Sequence, residues 1–185
     1  MDIAELLERY RSQYVTHFLE ARERAAREHG RRSGSEFLFE AERYAPDRLY
    51  KLLRADYAWQ EGEGWQLTEI ALDRFLDLPT MEFQRGECKV VVEPFHWNRC
   101  NLIVDCERVD REALVTWATH WIDMDEERPR DENNLKQAIH YMTPPGYPLG
   151  KMGLGVDLGT APVRALLELI RLISAEKGTE TIRIH

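Results

Sequence analysis

The chain has 185 residues, of which 43% are apolar and 31% are charged. Its 33 acidic and 25 basic side chains give a formal net charge of −8 when the histidines are neutral. This composition excludes a disordered or collagen-like chain and is sufficient for a globular protein with a substantial core. No run of residues approaches the roughly 18 to 20 apolar residues of a membrane-spanning helix. We therefore expect a protein that does not insert into a membrane.

The cysteines and the first residues point to a reducing compartment. Cys88, Cys100 and Cys106 are odd in number, unlike the dense, even sets of secreted disulfide frameworks. Residues 1–5 are acidic and lack the basic and then apolar pattern of a signal peptide. Twenty of the 25 basic residues are arginines, a bias typical of GC-rich bacterial genomes. We predict a bacterial, cytoplasmic protein.

Residues 2–29 are predicted to form one long helix. Asp2 is a suitable N-cap, and Gly30 is a suitable end. Apolar residues recur at steps of three and four, which places them on one stripe of the helix. So narrow a stripe requires a partner, either the body of the protein or a second copy of the chain in a homodimer. The stripe consists of Ile3, Leu6, Leu7, Tyr10, Tyr14, Phe18, Ala21 and Ala25.

The sequence up to residue 79 is predicted to be a helical N-terminal portion. Capping residues and apolar spacing favour three further helices, the last of which ends at Pro79. Two stretches with aromatic residues flank a glycine-rich turn and predict a β-hairpin. The expected elements are helices over 36–44, 47–56 and 69–78, and a hairpin that pairs 57–60 with 65–68.

Residues 80–185 are predicted to form an α/β sandwich domain, so the whole chain belongs to the α+β class. Short β-branched runs alternate there with two amphipathic segments. The expected strands are 88–93, 101–106, a strand near 138–142, 155–158 and 181–184, and the expected helices are 110–123 and 162–175.

A shift of 52 residues without gaps superimposes two parts of this second domain. Val104-Asp105 falls on Val156-Asp157, and Leu102 falls on Leu154. The amphipathic segments that follow also coincide. Two strand–strand–helix units that share one sheet would give this pattern. The alternative is that any two strand-to-helix segments share it.

The order of elements predicted between residues 35 and 78 is that of a winged-helix DNA-binding domain. This segment contains ten acidic and five basic residues, so its net charge is −5. Binding to a phosphate backbone requires clustered lysine and arginine, because it is driven by the release of counterions. We therefore predict no nucleic-acid binding.

His96 and the three cysteines are the candidates for a metal site. Three residues separate His96 from Cys100, five separate Cys100 from Cys106, and eleven separate Cys88 from Cys100. Zinc sites use two close pairs of ligands, commonly with two to four residues between partners. Since this spacing does not match, we predict neither a metal nor another cofactor.

Asp105 and Asp157 are the best candidates for catalytic residues. Each lies where a predicted strand gives way to a helix, and a twofold repeat would bring them together with His96 or His140 at the same edge. Paired carboxylates can act as acid and base when their environments separate their pKa values. No nucleophile-elbow or HExxH pattern accompanies them. A small enzyme or ligand-binding domain is therefore the alternative hypothesis.

The excess of negative charge lies in the middle of the chain, in the predicted turn at residues 61–63 and in an acidic, polar stretch over 123–134 that is predicted to be a solvated loop. Complementary charge accelerates the encounter with a basic partner, and tryptophan is enriched at interfaces. We predict a non-enzymatic protein-binding module, such as an immunity- or antitoxin-like neutraliser of a basic partner protein. The predicted partner-binding residues are Trp59, Glu61, Glu63, Trp65, Asp125, Glu126 and Glu127.

Overall fold

The computed structural model describes residues 1–30, 32–41, 45–72, 76–106 and 108–185. It has the predicted α+β architecture, in which a long N-terminal helix precedes two sheets and two further helices. The elements are α1 (Ile3–His29), β1 (Ser33–Glu40), β2 (Leu52–Glu61), β3 (Gly64–Thr68), β4 (Met81–Arg85), β5 (Cys88–Val92), β6 (Cys100–Val104), α2 (Arg111–Ile122), β7 (Tyr141–Met142), β8 (Met152–Asp157), α3 (Val163–Ser174) and β9 (Thr181–Ile184).

The predicted N-terminal helix is confirmed as α1. The Asp2 carboxylate accepts from the Glu5 backbone N–H at 2.8 Å, and Asp2 N donates to the Glu5 carboxylate at 3.0 Å, which forms a capping box. Gly30 ends the helix with a φ of +70°. The stripe packs on the chain itself, against α3, β1 and β2, and the Tyr10 ring lies 4.3 Å from that of Phe95. The most deeply buried stripe residues, at most 1% exposed, are Leu6, Leu7, Tyr10, Tyr14 and Phe18.

The helices predicted over 36–44 and 47–56 are wrong, because a three-stranded antiparallel sheet in the order β1-β2-β3 occupies most of residues 33–68. Residues 36–40 belong to β1. The second predicted helix is replaced by a 3₁₀ turn at Arg48–Lys51 and by the first residues of β2. Strand β2 is buried on both faces over residues 54–58, so it lacks the alternation of a half-exposed strand. Residues 42–44 of the first predicted helix lie outside the described residues.

The helix predicted over 69–78 is also wrong for residues 69–72 and 76–78, which have irregular backbone, while 73–75 lie outside the described residues. Ile70 explains this path. Its N–H donates to the Asp56 carboxylate at 2.5 Å, and its carbonyl accepts from the Asn98 side chain at 3.3 Å. These tertiary contacts fix the path of the segment at Ile70. The predicted hairpin is confirmed, with Glu61 opposite Gly64 and a φ of +63° at Gly62.

The second sheet has six strands in the order β4-β5-β9-β6-β8-β7. Strands β5 and β9 are parallel, and the other neighbours are antiparallel. Cys100, Leu102 and Val104 of β6 point into the core that contains α2 and α3, whereas Asn101 and Ile103 are exposed on the opposite face. Strand β4 pairs with β5 as an additional edge strand that the sequence pattern did not predict.

The 52-residue shift maps the elements of the second domain onto one another. It carries β6 onto the first five residues of β8 and superimposes the bounds of α2 on those of α3. Leu102 lies directly opposite Leu154 in the β6–β8 ladder. The symmetry is broken at the first strands, because β9 separates β5 from β6 whereas β7 is adjacent to β8. The domain boundary at residue 79 stays a prediction, and the apolar core is continuous on both sides of it.

None of the described helices is long and apolar enough to cross a membrane. The helices tested for this property are α1, α2 and α3.

Truncation of the α1 stripe should destabilise the fold. The Leu7 side chain is fully buried, so Leu7→Ala should lower the free energy of unfolding by about 2–5 kcal/mol in urea titrations. The control is Glu20→Ala on the exposed face of the same helix, where a change of about 0.5 kcal/mol or less is expected. Equal losses for the two variants would contradict the observed packing of α1.

Candidate functional site

The most unusual group of side chains surrounds His140, which lies directly before β7. Its carbonyl accepts from the Arg54 N–H of β2 at 2.8 Å, and its own N–H donates to the carbonyl of Asp157 in β8 at 2.8 Å. The backbone of His140 therefore joins the small sheet to the large one. Its side chain is fully buried and lies 6.1 Å from the ring of Phe18, between ring centroids.

The imidazole of His140 lies between two carboxylates. Nδ1 is 2.6 Å from Asp56 Oδ1, and Nε2 is 3.2 Å from Glu36 Oε1. Burial by itself lowers the pKa of His140, but the hydrogen bonds and charges of Asp56 and Glu36 outweigh it and raise that pKa to about 10. The ring is therefore an imidazolium at neutral pH, and each N–H donates to one carboxylate.

Glu36 is held in β1 with a backbone φ of +60°. Its Oε1 accepts from the Thr160 hydroxyl at 2.5 Å, and its Oε2 accepts from the Lys136 backbone N–H at 2.9 Å. Arg130 adds an ion pair at 3.4 Å. Burial opposes ionisation, but the hydrogen bond and charge of His140, followed by the hydrogen bonds of Thr160 and Lys136, lower the pKa of Glu36 below its usual value. Glu36 is therefore a fully buried carboxylate.

Asp56 is the second carboxylate and connects the histidine to α1. Its Oδ1 accepts from the Tyr14 hydroxyl at 3.1 Å as well as from His140, and its Oδ2 accepts from the Ile70 N–H. Burial and the neighbouring charge of Asp56 raise the pKa of Tyr14 well above its usual value. Tyr14 therefore remains a hydrogen-bond donor across the accessible pH range.

Asp157 lies next to this pair and is partly exposed. Its Oδ1 accepts from the Gly159 N–H at 2.9 Å. Burial raises the pKa of Asp157 to about 7, the charge of His140 opposes this shift, and the charge of Asp56 adds to it. Gly159 has a φ of +48°, and a Cβ atom at that position would lie 2.1 Å from His140 Cδ2. Only glycine allows the His140 ring to approach this turn so closely.

The cluster has the composition of a metal site, but the hydrogen-bond partners of the His140 ring favour a structural role. Asp56, His140 and Asp157 offer ligand atoms that all lie within 4.8 Å of one another. A metal-ligating histidine must be neutral and keep one ring nitrogen free for the metal. Both ring nitrogens of His140 instead lie at hydrogen-bond distance from a carboxylate oxygen, one of Asp56 and one of Glu36. The donor chemistry therefore favours a charged structural network over a metal centre.

The structure separates the predicted catalytic pair. Because β6 and β8 are antiparallel, Asp105, which follows β6, and Asp157, the last residue of β8, lie at opposite ends of the paired strands, about 20 Å apart at 3.3 Å per residue. The expectation that a twofold axis brings them together is wrong for this reason. Asp105 forms an exposed ion pair with Lys151 at 3.3 Å. His96 lies in the β5–β6 connection, where burial and Arg99 lower its pKa.

Only His140 and Asp157 of the predicted catalytic residues come together, and the structure adds Glu36 and Asp56 to them. Both of these acids lie in segments whose residue pattern predicts helices, so the pattern did not point to them. A usable signal is the segment 55–58, where Asp56 interrupts an otherwise apolar run. A lone carboxylate among apolar neighbours indicates a buried partner, because an uncompensated buried charge is costly.

The predicted partner-binding residues lie in three different settings. Trp59 stacks on His29 near the end of α1, with ring centroids 3.9 Å apart and an interplanar angle of 9°. Trp65 is 49% exposed and lies beside Phe37, with ring centroids 5.5 Å apart. Glu126 forms an ion pair with the buried Arg54 at 3.1 Å, although its own side chain is 51% exposed. The remaining predicted acids are exposed: Glu61, Glu63, Asp125 and Glu127.

No protein-family model matches the chain, and neither a curated protein nor a solved structure matches it.

Stability should fall as the pH rises above neutrality because of His140. The folded-state pKa of about 10 exceeds the ordinary value of 6.5, so the folded protein binds the additional proton between these values. Its stabilisation is complete below pH 6.5 and is lost as the pH rises through 10. Urea titrations between pH 6 and pH 10 should show this decline. His140→Gln should be less stable at pH 6 and should show a flatter decline, whereas the exposed control His120→Gln should behave like the wild type.

The close approach of Gly159 to His140 can be tested with a matched pair of glycines. Gly62 also has a positive φ, but a Cβ atom there meets nothing within 4 Å. Gly62→Ala should cost about 1–2 kcal/mol, the usual price of a left-handed backbone for alanine. Gly159→Ala should cost clearly more, because the new methyl group displaces His140 from its carboxylates. Equal losses in thermal or urea unfolding would show that the cluster tolerates this displacement.

Proposed function

We propose that the protein is a non-enzymatic binding module that recognises a basic protein partner through the β2–β3 hairpin. The observation that carries the proposal is the exposure of β3. All five residues of this strand are exposed, and it lies at the edge of the small sheet. Trp65 is 49% exposed and Leu67 is 43% exposed, so the edge presents large apolar side chains to solvent.

The surroundings of β3 fit a basic, extended segment. An edge strand has backbone N–H and C=O groups on its outer side that can pair with a strand from another chain. The Phe37 and Phe39 rings lie 5.5 and 6.2 Å from that of Trp65 and form an aromatic surface with it. The turn before β3 adds the exposed carboxylates of Glu61 and Glu63. Aromatic anchors beside acidic groups suit a partner with alternating apolar and basic residues.

A more specific form of the proposal is an immunity- or antitoxin-like neutraliser in a bacterial cytoplasm. A cationic partner, such as a nuclease-like toxin, must be bound quickly, and electrostatic attraction raises association rates. The net charge of −8 supports this form of the proposal, as do Asp125 and Glu127, which remain free to act at a distance.

An enzyme that uses His140 and Asp157 is the second candidate, since the structure brings these two groups together. A general acid or base must come within hydrogen-bond distance of its substrate. His140 and Glu36 are fully buried, and both ring nitrogens of His140 are occupied. Only Asp157 is partly exposed. This geometry supports a stabilising role for the cluster and favours the binding module.

The test begins with affinity purification of the partner from the cells that produce the protein, followed by binding kinetics with the purified pair. Trp65→Ala should increase the dissociation rate by a factor that corresponds to about 2 kcal/mol or more, as expected for an aromatic anchor. The control is Ile103→Ala, an exposed apolar residue on the outer face of the large sheet. Equal binding by the Trp65→Ala variant and the wild type would refute the proposed surface.

Charge reversal at the turn should act on the association rate. The double variant Glu61→Lys/Glu63→Lys should associate about tenfold more slowly at low salt, with a weaker dependence on ionic strength. Asp125→Lys/Glu127→Lys should show a smaller effect of the same kind, because these acids steer the partner without contacting it. Unchanged association rates for both variants would contradict electrostatic steering and would show that these acids are only solubilising surface charges.

A further inference from the structure

We propose that a cavity between the start of α2 and the 144–147 segment binds a small aromatic carboxylate. This inference is independent of the proposed protein-binding surface, which lies on the small sheet. The cavity has a volume of about 380 Å³, within the usual range of small-molecule sites, about 300–1,000 Å³. The residues that line it combine apolar side chains with two arginines and two tyrosines.

The apolar part of the cavity suits a planar ring. Val109 and Leu114 are buried and contribute to its lining, together with the ring of Tyr50. Pro144, Pro145 and Tyr147 also line it with rigid, flat surfaces. Proline and tyrosine provide contact area at a small cost in side-chain entropy. An aromatic ring can therefore be enclosed without a large rearrangement.

The Tyr50 hydroxyl provides the observation that points to a ligand. Tyr50 is 1% exposed, and its hydroxyl finds no hydrogen-bond partner in the part of the chain that the structure describes. A buried polar group without a partner costs free energy, so such groups are rare in folded proteins. Burial raises the pKa of Tyr50, and the nearby charge of Arg111 opposes this effect. The hydroxyl is therefore a protonated donor beside a guanidinium group.

The two arginines differ in what they can offer. Arg111 forms an ion pair with Asp47 at 2.7 Å, whereas Arg108 is exposed and forms no ion pair with the described residues. A carboxylate can accept from the Tyr50 hydroxyl and pair with the free Arg108 guanidinium. No acidic residue is among the described residues that line this cavity, and the nearby Asp47 carboxylate is already paired with Arg111.

A larger neighbouring cavity does not share this character. Its volume is about 880 Å³, and it shares Arg108, Val109 and Arg111 with the smaller one. Four carboxylates line it, from Asp47, Asp110, Glu112 and Glu176. An anion is therefore directed to the smaller cavity, where positive charge and apolar surface coincide.

Benzoate and benzamide are the probes, because they share a ring and differ in charge. Titrations of the full chain by calorimetry and by ¹⁵N chemical shifts should show that benzoate binds at least about tenfold more tightly than benzamide. The shifted signals should include Leu114 and Tyr147. Equal affinities for the two probes, or shifts confined to other parts of the chain, would overturn the proposal.

Two variants test the residues that hold the carboxylate. Tyr50→Phe should weaken benzoate binding by about tenfold while the unfolding temperature stays unchanged or rises, because an unpartnered buried hydroxyl is removed. Arg108→Gln should weaken benzoate binding and reduce its salt dependence. The control Arg99→Gln, which replaces an exposed arginine outside the cavity lining, should bind benzoate normally. Unchanged benzoate affinity in both Tyr50→Phe and Arg108→Gln would refute the site.

Discussion

The contact between the His140 imidazolium and the carboxylates of Glu36 and Asp56 is the constraint on which the rest of the structure depends. The three residues come from the approach to β7, from β1 and from β2, and Tyr14 joins them from α1. Each charge is costly to bury alone, and removal of one partner from such a group typically costs about 3–5 kcal/mol. The helix and both sheets can therefore assemble only in the arrangement that completes the network.

A second buried network extends this constraint to the loop after α2. The guanidinium of Arg54, at 0% side-chain exposure, donates to the backbone carbonyls of Glu36, Ile122 and Asp123. Lys136 Nζ donates to the Asp123 carboxylate at 3.1 Å. The first residues of this loop are thus held from the inside by two buried cations. Residues 125–127 of the loop remain exposed to solvent, while the carbonyls of Ile122 and Asp123 accept hydrogen bonds from the buried Arg54.

The helices that the sequence predicted well are those whose buried residues recur with the regular spacing of one helix face. Helix α1 has a single apolar stripe with a capping residue at its start, and α3 packs one face onto the sheet, so local pattern and tertiary packing agree. The first half of β2 was predicted as a helix, because the partners that allow Arg54 and Asp56 to be buried include Ile122 and His140, 68 and 84 residues away along the chain. For the same reason Glu36 and Asp56 could not be assigned to the site, whereas His140 and Asp157 were named without their true partners.

The interior balances its own charge, so the acidic excess belongs to the surface. Among the described residues, the buried charged side chains are Glu36, Asp56 and Asp123 on one side and Arg54, Lys136 and the protonated His140 on the other. These three acids and three cations cancel. The negative charge of the chain is therefore displayed on the exterior, where Glu61 and Glu63 flank an aromatic edge strand that no described strand covers. A fold that neutralises its core with long-range ion pairs leaves its charge available for recognition, which is the physical basis of the proposed binding function.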